Sequence, residues 1–375
     1  MNRLAPSRAV IDLSAYTSNL NVVRACIPPS CRIMPVVKAD AYGHGAVALA
    51  QSATAAGAYG VAVATVAEGI ALREAGITCP ILVLVQPLLE ALEAAVVYTL
   101  EVMISDPEAL DSLAQIAARV GKKVLVHCKI DTGMGRQGYP WETAHLFVHK
   151  AATVHGIELV GIATHFAAAD DPLSTFTDRQ LANFSRVINA LKTRKVPYGV
   201  AHAGNSAAIL RYGAAASFDM VRPGLMTYGV PPYEDCPRKD QLRPALRWET
   251  RVVCVKDLPQ GAPVGYGCTY VTPRAMRTAI IPVGYADGYP LALSNRSDVL
   301  IRGTRCKVLG RVSMDQIVAD VTALKTVEVG EQVTLIGQDG DEEITVSEIA
   351  KRAGTIPYEI LTGIGNRVER VYTRG

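Results

Sequence analysis

The residues able to do chemistry in this chain stand at the ends of short apolar runs. The clearest case is MPVVKADAYGHGA (34–46), where four mostly apolar residues lead into Lys38 and then into a turn of Gly and small polar residues. A run that short and apolar reads as a strand buried on both faces, with the Gly-rich stretch marking its end. Lysine is almost never fully buried without a partner, so a core strand ending in one is presenting an amine. The placement recurs along the chain. Lys129 closes VLVHCK (124–129), His165 closes LVGIATH (159–165), and His202 lies in YGVAHAG (198–204) just ahead of Asn205 and Ser206. Arg222 stands before Pro-Gly in FDMVRPG (218–224). An amine held in a low-dielectric pocket among other cations has its charged form disfavoured, so its pKa falls and it becomes a nucleophile. Lys38 therefore points to Schiff-base chemistry. The GNSAA and RPGLM turns add backbone N–H groups and a serine hydroxyl suited to a phosphate. A Schiff-base lysine opposite a phosphate site means pyridoxal 5′-phosphate or a phosphorylated sugar, and residue types alone leave both open.

The elements that must position these groups follow from the alternation of β-rich runs with helix-period segments. The runs are MPVVK (34–38), GVAVA (60–64), ILVLV (81–85), EVMIS (101–105), VLVHCK, LVGIATH, YGVAHAG and FDMVRPG. Between them lie segments such as DPEALDSLAQIAARVG (106–121), where Asp106 and Gly121 supply start and stop signals, and FTDRQLANFSRVINALKT (176–193). Eight strand–helix units predict an α/β fold, a (β/α)8 TIM barrel whose strand ends face the active site. No G-x-G-x-x-G follows the first strand, which speaks against a dinucleotide-binding sheet. After about residue 240 the rhythm changes to strands separated by Gly/Pro turns, with TVSEIAKRA (345–353) as the one clear helix. The expected division is a barrel over 1–240 and a mainly antiparallel β domain over 241–375. A lone strand, RAVIDL (8–13), is expected to pair with the second domain.

Composition narrows the function classes. The chain has 375 residues, 49% of them hydrophobic, and a net charge of +3 with Lys and Arg spread along its length, so a nucleic-acid footprint is not expected. No apolar stretch has the length of a membrane span, and the N-terminus has no secretory core, which makes the cytoplasm the expected address. The eight cysteines show neither metal-ligand nor disulfide spacing and read as reduced thiols. A metal-dependent aldolase needs clustered ligands at the mouth; only two histidines fall there, and no metal is expected.

Eight stretches, in order, carry a specific resemblance: VVKADAYGHG (36–45), KIDTGMGR (129–136), THFAAAD (164–170), HAGNSAA (202–208), VRPG (221–224), VGYGCTYVT (264–272), VGYADG (283–288) and GRVSMDQ (310–316). In these the chain resembles bacterial alanine racemases along nearly its entire length. The resemblance implies that Lys38 holds pyridoxal 5′-phosphate as a Schiff base and moves a proton on the face giving the D-isomer. Tyr266 would serve the opposite face. Tyr42, Ser206, Gly224 and Leu225 would hold the phosphate, with Asn205 beside them, and Arg222 would point at the pyridine nitrogen with His165 and His202 near it. Arg136 would contact the phenolic oxygen and the substrate carboxylate, which the Met314 backbone N–H would also contact. Lys129 corresponds to a lysine carbamylated in related enzymes. The implied assembly is a homodimer with shared active sites, and the implied role is D-alanine supply for peptidoglycan.

Two opposed bases have a simple logic: a proton leaves one face of Cα and returns to the other without either group crossing the substrate. The chain departs from the family at Asn366, where a tyrosine that helps hold the phosphate and crowds the substrate side chain is usual, and at Gln137, where leucine is more common. An amide is smaller and can pair with a hydroxyl, so an alanine/serine or broader racemase is the competing reading. Non-enzymatic pyridoxal-phosphate carriers lack a second domain. Barrel-plus-β decarboxylases carry a Cys-Asp pair and a Glu-Pro-Gly-Arg turn that are missing here.

Overall fold

The structure, a computed structural model, describes residues 6–374 and contains two compact units. One comprises residues 16–41 and 46–243; the other gathers the described residues before Tyr16, Tyr42–Gly45 and those from Pro244 onward.

The first unit is built on a parallel sheet with eight strands in its main path, Arg32–Ile33, Val61–Val63, Ile81–Val83, Glu101–Ile104, Val124–Asp131, Ile157–Ala163, Val200–His202 and Met220–Val221, and a ninth, Tyr139–Pro140, beside Val124–Asp131. Met220–Val221 pairs with Arg32–Ile33, while Val36 bridges to Ala62 and Val37 N–H donates to Ala62 O at 2.7 Å. The first strand segment thus bonds to both neighbours, and the sheet closes on itself as a barrel. The ladder lies earlier than MPVVK suggests. Pro35 has no N–H to donate, so regular pairing stops at Ile33 and 34–37 contribute single bonds. Central strands such as Val61–Val63 and Ile81–Val83 are buried at every residue, as expected of strands covered on both faces. The helix Pro107–Val120 starts on an Asp106 cap and ends at left-handed Gly121, matching the sequence signals.

Directly after the first strand the backbone makes a helical turn, Lys38–Gly43, in the unusual hand. Ala39, Asp40, Ala41 and Tyr42 have φ of 49, 52, 54 and 49°. Left-handed non-glycine residues cost about 1–2 kcal/mol each, so the surroundings must hold this turn. Two side chains do so: the Glu68 carboxylate accepts from Ala39 N–H at 2.7 Å, and Asp40 Oδ1 accepts from Ala46 N–H at 2.7 Å.

The second unit is built on a largely antiparallel ten-stranded sheet. Arg8–Asp12 lies between Leu246–Arg251, antiparallel, and Glu369–Thr373, parallel. Residues 1–5 of the expected N-terminal segment lie outside the described residues. RWETRVVCVKDL forms two strands, Leu246–Arg251 and Cys254–Leu258. The helix Val346–Ala353 is followed by a second, Pro357–Gly363, which the sequence reading missed although Pro357 stands at its first turn. VGYGCTYVT forms a small hairpin, Pro263–Val264 with Tyr270–Val271, where Tyr270 packs on the cluster of Val264, Met276 and Leu309. All eight cysteines are free thiols, with Cys254 and Cys268 exposed. Among the described residues no helix is long and apolar enough to cross a membrane.

Candidate active site

In the barrel unit, the strand ends bring Lys38, Lys129, Arg136, His165, His202 and Arg222 within electrostatic reach of one another. Burial lowers the pKa of the Lys38 amine, and the Arg136 charge lowers it further, against an opposing pull from Glu68. Lys129, buried at the end of its strand, is pushed well below the usual lysine value by burial, then by Arg222 and Arg136; Asp131 opposes. His165 is held neutral by burial and by the same four cations, Lys129, Arg222, Arg136 and Lys38. Burial alone brings the Arg222 guanidinium down to about 10.

Arg222 is fixed from several sides. Its Nη1 donates to His202 Nδ1 at 2.5 Å, and its Nη2 donates to Thr164 O at 2.8 Å and contacts His165 Nδ1 at 3.4 Å. The loop carrying Arg136 is organised by Asp131, whose Oδ1 accepts from Gly133 and Met134 N–H at 2.9 and 2.8 Å and whose Oδ2 accepts from Gly135 N–H at 3.0 Å. Gln180 staples this loop to the next, donating to Thr132 Oγ1 and His165 O and accepting from Ala167 N–H.

The phosphate-type turns take the form expected of them. Asn205 caps the helix Ser206–Tyr212 by accepting from Ala208 N–H at 2.9 Å. Ser206 Oγ accepts from the N–H of Gly224 at 2.9 Å and of Met226 at 3.2 Å, which leaves its own proton to donate outward. Leu225 is buried between them. Glu68 is the positioning group that the sequence reading missed. Its spacing from Thr65 is that of a capping box, and both halves of that box are formed.

The second unit carries the remaining residues. Tyr266 lies in the hairpin turn Tyr266–Cys268 and is 71% exposed; Met314 lies in a loop and is 52% exposed. One segment serves both: Gly265 packs against Arg311, and the chain runs on through Ser313 to Met314. Asn366 is exposed in a turn whose next residue, Arg367, pairs with Asp315 at 2.8 Å and Asp287 at 3.2 Å. Arg367 thereby ties the Asn366 turn to the Met314 loop. Tyr42 stands edge-on to Tyr358, ring centroids 5.6 Å apart, and Arg370 Nε donates to Gly43 O at 3.1 Å. Gly45 has no alternative there, because a Cβ would meet the Tyr372 hydroxyl at 1.8 Å. In the barrel unit, Gln137 carries a buried amide nitrogen without a hydrogen-bond partner.

Two family models cover the chain: alanine racemase, N-terminal domain, over residues 11–232, and alanine racemase, C-terminal domain, over 245–372. The chain belongs to the alanine racemase family. A curated alanine racemase of Halothermothrix orenii is 43% identical over 98% of this chain and 97% of its own length. The structure of alanine racemase from D-cycloserine-producing Streptomyces lavendulae superposes with a TM-score of 0.93 at 36% identity, covering 99% of this chain and 98% of the other. That of Bartonella henselae alanine racemase with covalently bound pyridoxal phosphate has a TM-score of 0.88 at 29% identity, covering 98% of this chain and all of the other. The family's members are isomerases that depend on pyridoxal phosphate.

The residues of the barrel mouth fit such a group. Two guanidinium groups, Arg136 and Arg222, and two amines with lowered pKa, Lys38 and Lys129, face two carboxylates, Glu68 and Asp131. A set of basic groups of this kind suits an anionic occupant, and an amine with a lowered pKa suits a carbonyl carbon.

Proposed function

We propose that this chain interconverts L- and D-alanine by a two-base mechanism, using Lys38 and Tyr266. The observation that carries this reading is the Lys38 amine, depressed by burial and by Arg136 at the end of a barrel strand. Bound pyridoxal phosphate supplies an electron sink that makes the substrate Cα–H acidic. Lys38 Nζ moves the proton on the face that gives the D-isomer, and the Tyr266 phenol moves it on the other. Arg222, fixed in place by His202, Thr164 and His165, opposes protonation of the pyridine nitrogen because like charges repel. Arg136 binds the phenolic oxygen and the substrate carboxylate from the loop that Asp131 orders, and the Met314 N–H binds that carboxylate too. The Ser206 hydroxyl and the Leu225 N–H hold the phosphate, with Asn205 beside them and Gly224, whose N–H donates to Ser206 Oγ, shaping the turn. We assign Tyr42 and Asn366 to the phosphate from their motif positions. Lys129, whose neutral amine is favoured by burial, takes up carbon dioxide as a carbamate with release of one proton; the new negative charge balances Arg136 and Arg222.

The active form in this reading is a homodimer in which Tyr266 and Met314 of one copy serve Lys38 of the other. A catalytic phenol 71% exposed on its own chain supports that arrangement, since a base working on Cα needs a dry, oriented setting. The reaction belongs in the cytoplasm, supplying D-alanine for peptidoglycan. A second reading, with serine as an additional substrate, is favoured by Asn366 in place of the family's usual tyrosine. Incubating the purified protein with L-Ala, L-Ser and several larger L-amino acids, then resolving the enantiomers, tests both. D-alanine must accumulate to near equality with L-alanine; no D-alanine from L-alanine overturns the reading.

A further inference from the structure

Below the mouth of the barrel a chain of buried polar groups leads away from Arg222, and its far members, His127 and Glu101, have no part in the proposed reaction. Arg222 Nη1 meets His202 Nδ1 at 2.5 Å, His202 Nε2 meets His127 Nδ1 at 2.9 Å, and His127 Nε2 meets Glu101 Oε2 at 2.9 Å. The two imidazoles are fully buried, and Glu101 and Arg222 are 4% exposed. Glu101 opens its strand, His127 lies within the next strand, and His202 ends a third. The chain therefore climbs the barrel interior from the N-terminal end of one strand to the residues at the C-terminal mouth. A polar string of this length in a core is maintained for a reason other than packing.

Its hydrogens have one consistent arrangement. Arginine has only donors to offer, so His202 Nδ1 must be bare and His202 Nε2 must carry the proton. His127 Nδ1 must then accept, its Nε2 must donate, and a Glu101 oxygen must receive that proton's hydrogen bond. Neither ring can be doubly protonated without setting two N–H groups against each other. The fold also leaves space for the contact: a Cβ at Gly161 would come within 2.7 Å of His127 Nδ1. The other charged or titratable groups near the ends are Arg73 and Tyr59 on the Glu101 side and Lys129 on the His202 side.

We propose that Glu101 is a positioning residue for Arg222, acting through His127 and His202 by fixing the tautomer of each ring. The proposal rests on the reading of Arg222 as the group that faces the cofactor ring. With Glu101 as terminal acceptor, His202 always turns a lone pair to the guanidinium. Without it, either ring is free to retautomerise or turn over, and His202 can then aim an N–H at Arg222, donor against donor.

Neutron diffraction from deuterium-exchanged crystals of the holoenzyme reads the arrangement directly. The expected map has a deuteron on Nε2 of both His127 and His202 and none on either Nδ1. A deuteron on Nδ1 of either ring overturns the proposal, whatever the activity of the protein. Glu101→Leu, which removes the acceptor, should lower kcat for alanine about tenfold or more, with KM and bound cofactor nearly unchanged. Glu101→Gln, whose amide oxygen can still accept, should stay within about threefold of the parent protein. An unchanged kcat in Glu101→Leu, or an equal loss in both variants, overturns the positioning role. Should Glu101→Leu fail to fold, the neutron map and the Gln variant still decide. Failure of the functional reading has a different signature, a wild-type protein that does not racemise alanine while the ring deuterons remain as expected.

Discussion

Glu68→Gln tests how the left-handed turn at Lys38 is held. The carboxylate uses its two oxygens for different partners: Oε1 accepts from Ala39 N–H at 2.7 Å, and Oε2 accepts from Ala64 N–H at 2.6 Å and Thr65 N–H at 3.2 Å. Glutamine offers one oxygen, so one side of this bridge must face an NH2 group, donor against donor. A hydrogen bond to a charged group is worth about 1.5–3 kcal/mol, and the half-buried position of Glu68 argues for the lower end. A loss of about 1.5 kcal/mol lowers the Tm by about 3–6 °C in a unit of this size. The charge has a second effect. Glu68 pulls the Lys38 pKa upward, against burial and Arg136, so its neutralisation lowers that pKa further and leaves more free amine at a given pH. Both effects are measurable on the cofactor-stripped chain: the Tm by thermal scan, and the amine by competitive acetylation of the 34–46 peptide across a pH series. The labelling curve of the variant should move to lower pH. A Tm within about 1 °C of the parent, or a labelling curve that stays put or moves up, refutes the bridging role.

Other expectations can be checked with simple variants. Borohydride reduction of the holoenzyme followed by peptide mapping should place the pyridoxyl group on 34–46; recovery on another peptide removes Lys38 from its role. Mixing Lys38→Ala with Tyr266→Phe chains should restore part of the activity that each lacks alone, because one of the two hybrid sites is intact; full activity in a demonstrated monomer contradicts the shared site. Asn366→Tyr should lower kcat/KM for serine relative to alanine by about tenfold, combining the loss of one hydrogen bond with renewed crowding; an unchanged ratio means Asn366 points away from the substrate.

The barrel was legible because its strands are apolar runs with polar ends, and that pattern also marks which end is the mouth. Details set by tertiary contacts were not. Pro35 shifts the first ladder, and nothing in KADAY announces four residues in the left-handed region, since the same letters suit an ordinary helix. The capping box of Thr65 and Glu68 could have been found from spacing alone; its second use, holding Ala39, lies 29 positions away and could not. The string below Arg222 joins residues 20, 75 and 26 positions apart, a relation that only the closed barrel creates. Tyr266 stands out in the sequence only through the family resemblance; its place in a hairpin turn follows from Gly265 and Gly267 on either side of it, with φ of 71 and 72°.

The central claim is that Lys38 and Tyr266 work on opposite faces of Cα. Solvent-deuterium exchange at Cα of L- and D-alanine in Tyr266→Phe, compared with the parent protein, tests this most directly. With the phenol gone and the cofactor still bound, Lys38 should continue to exchange the proton of D-alanine, while exchange from L-alanine and racemisation collapse together. Equal residual exchange from both enantiomers would contradict the account.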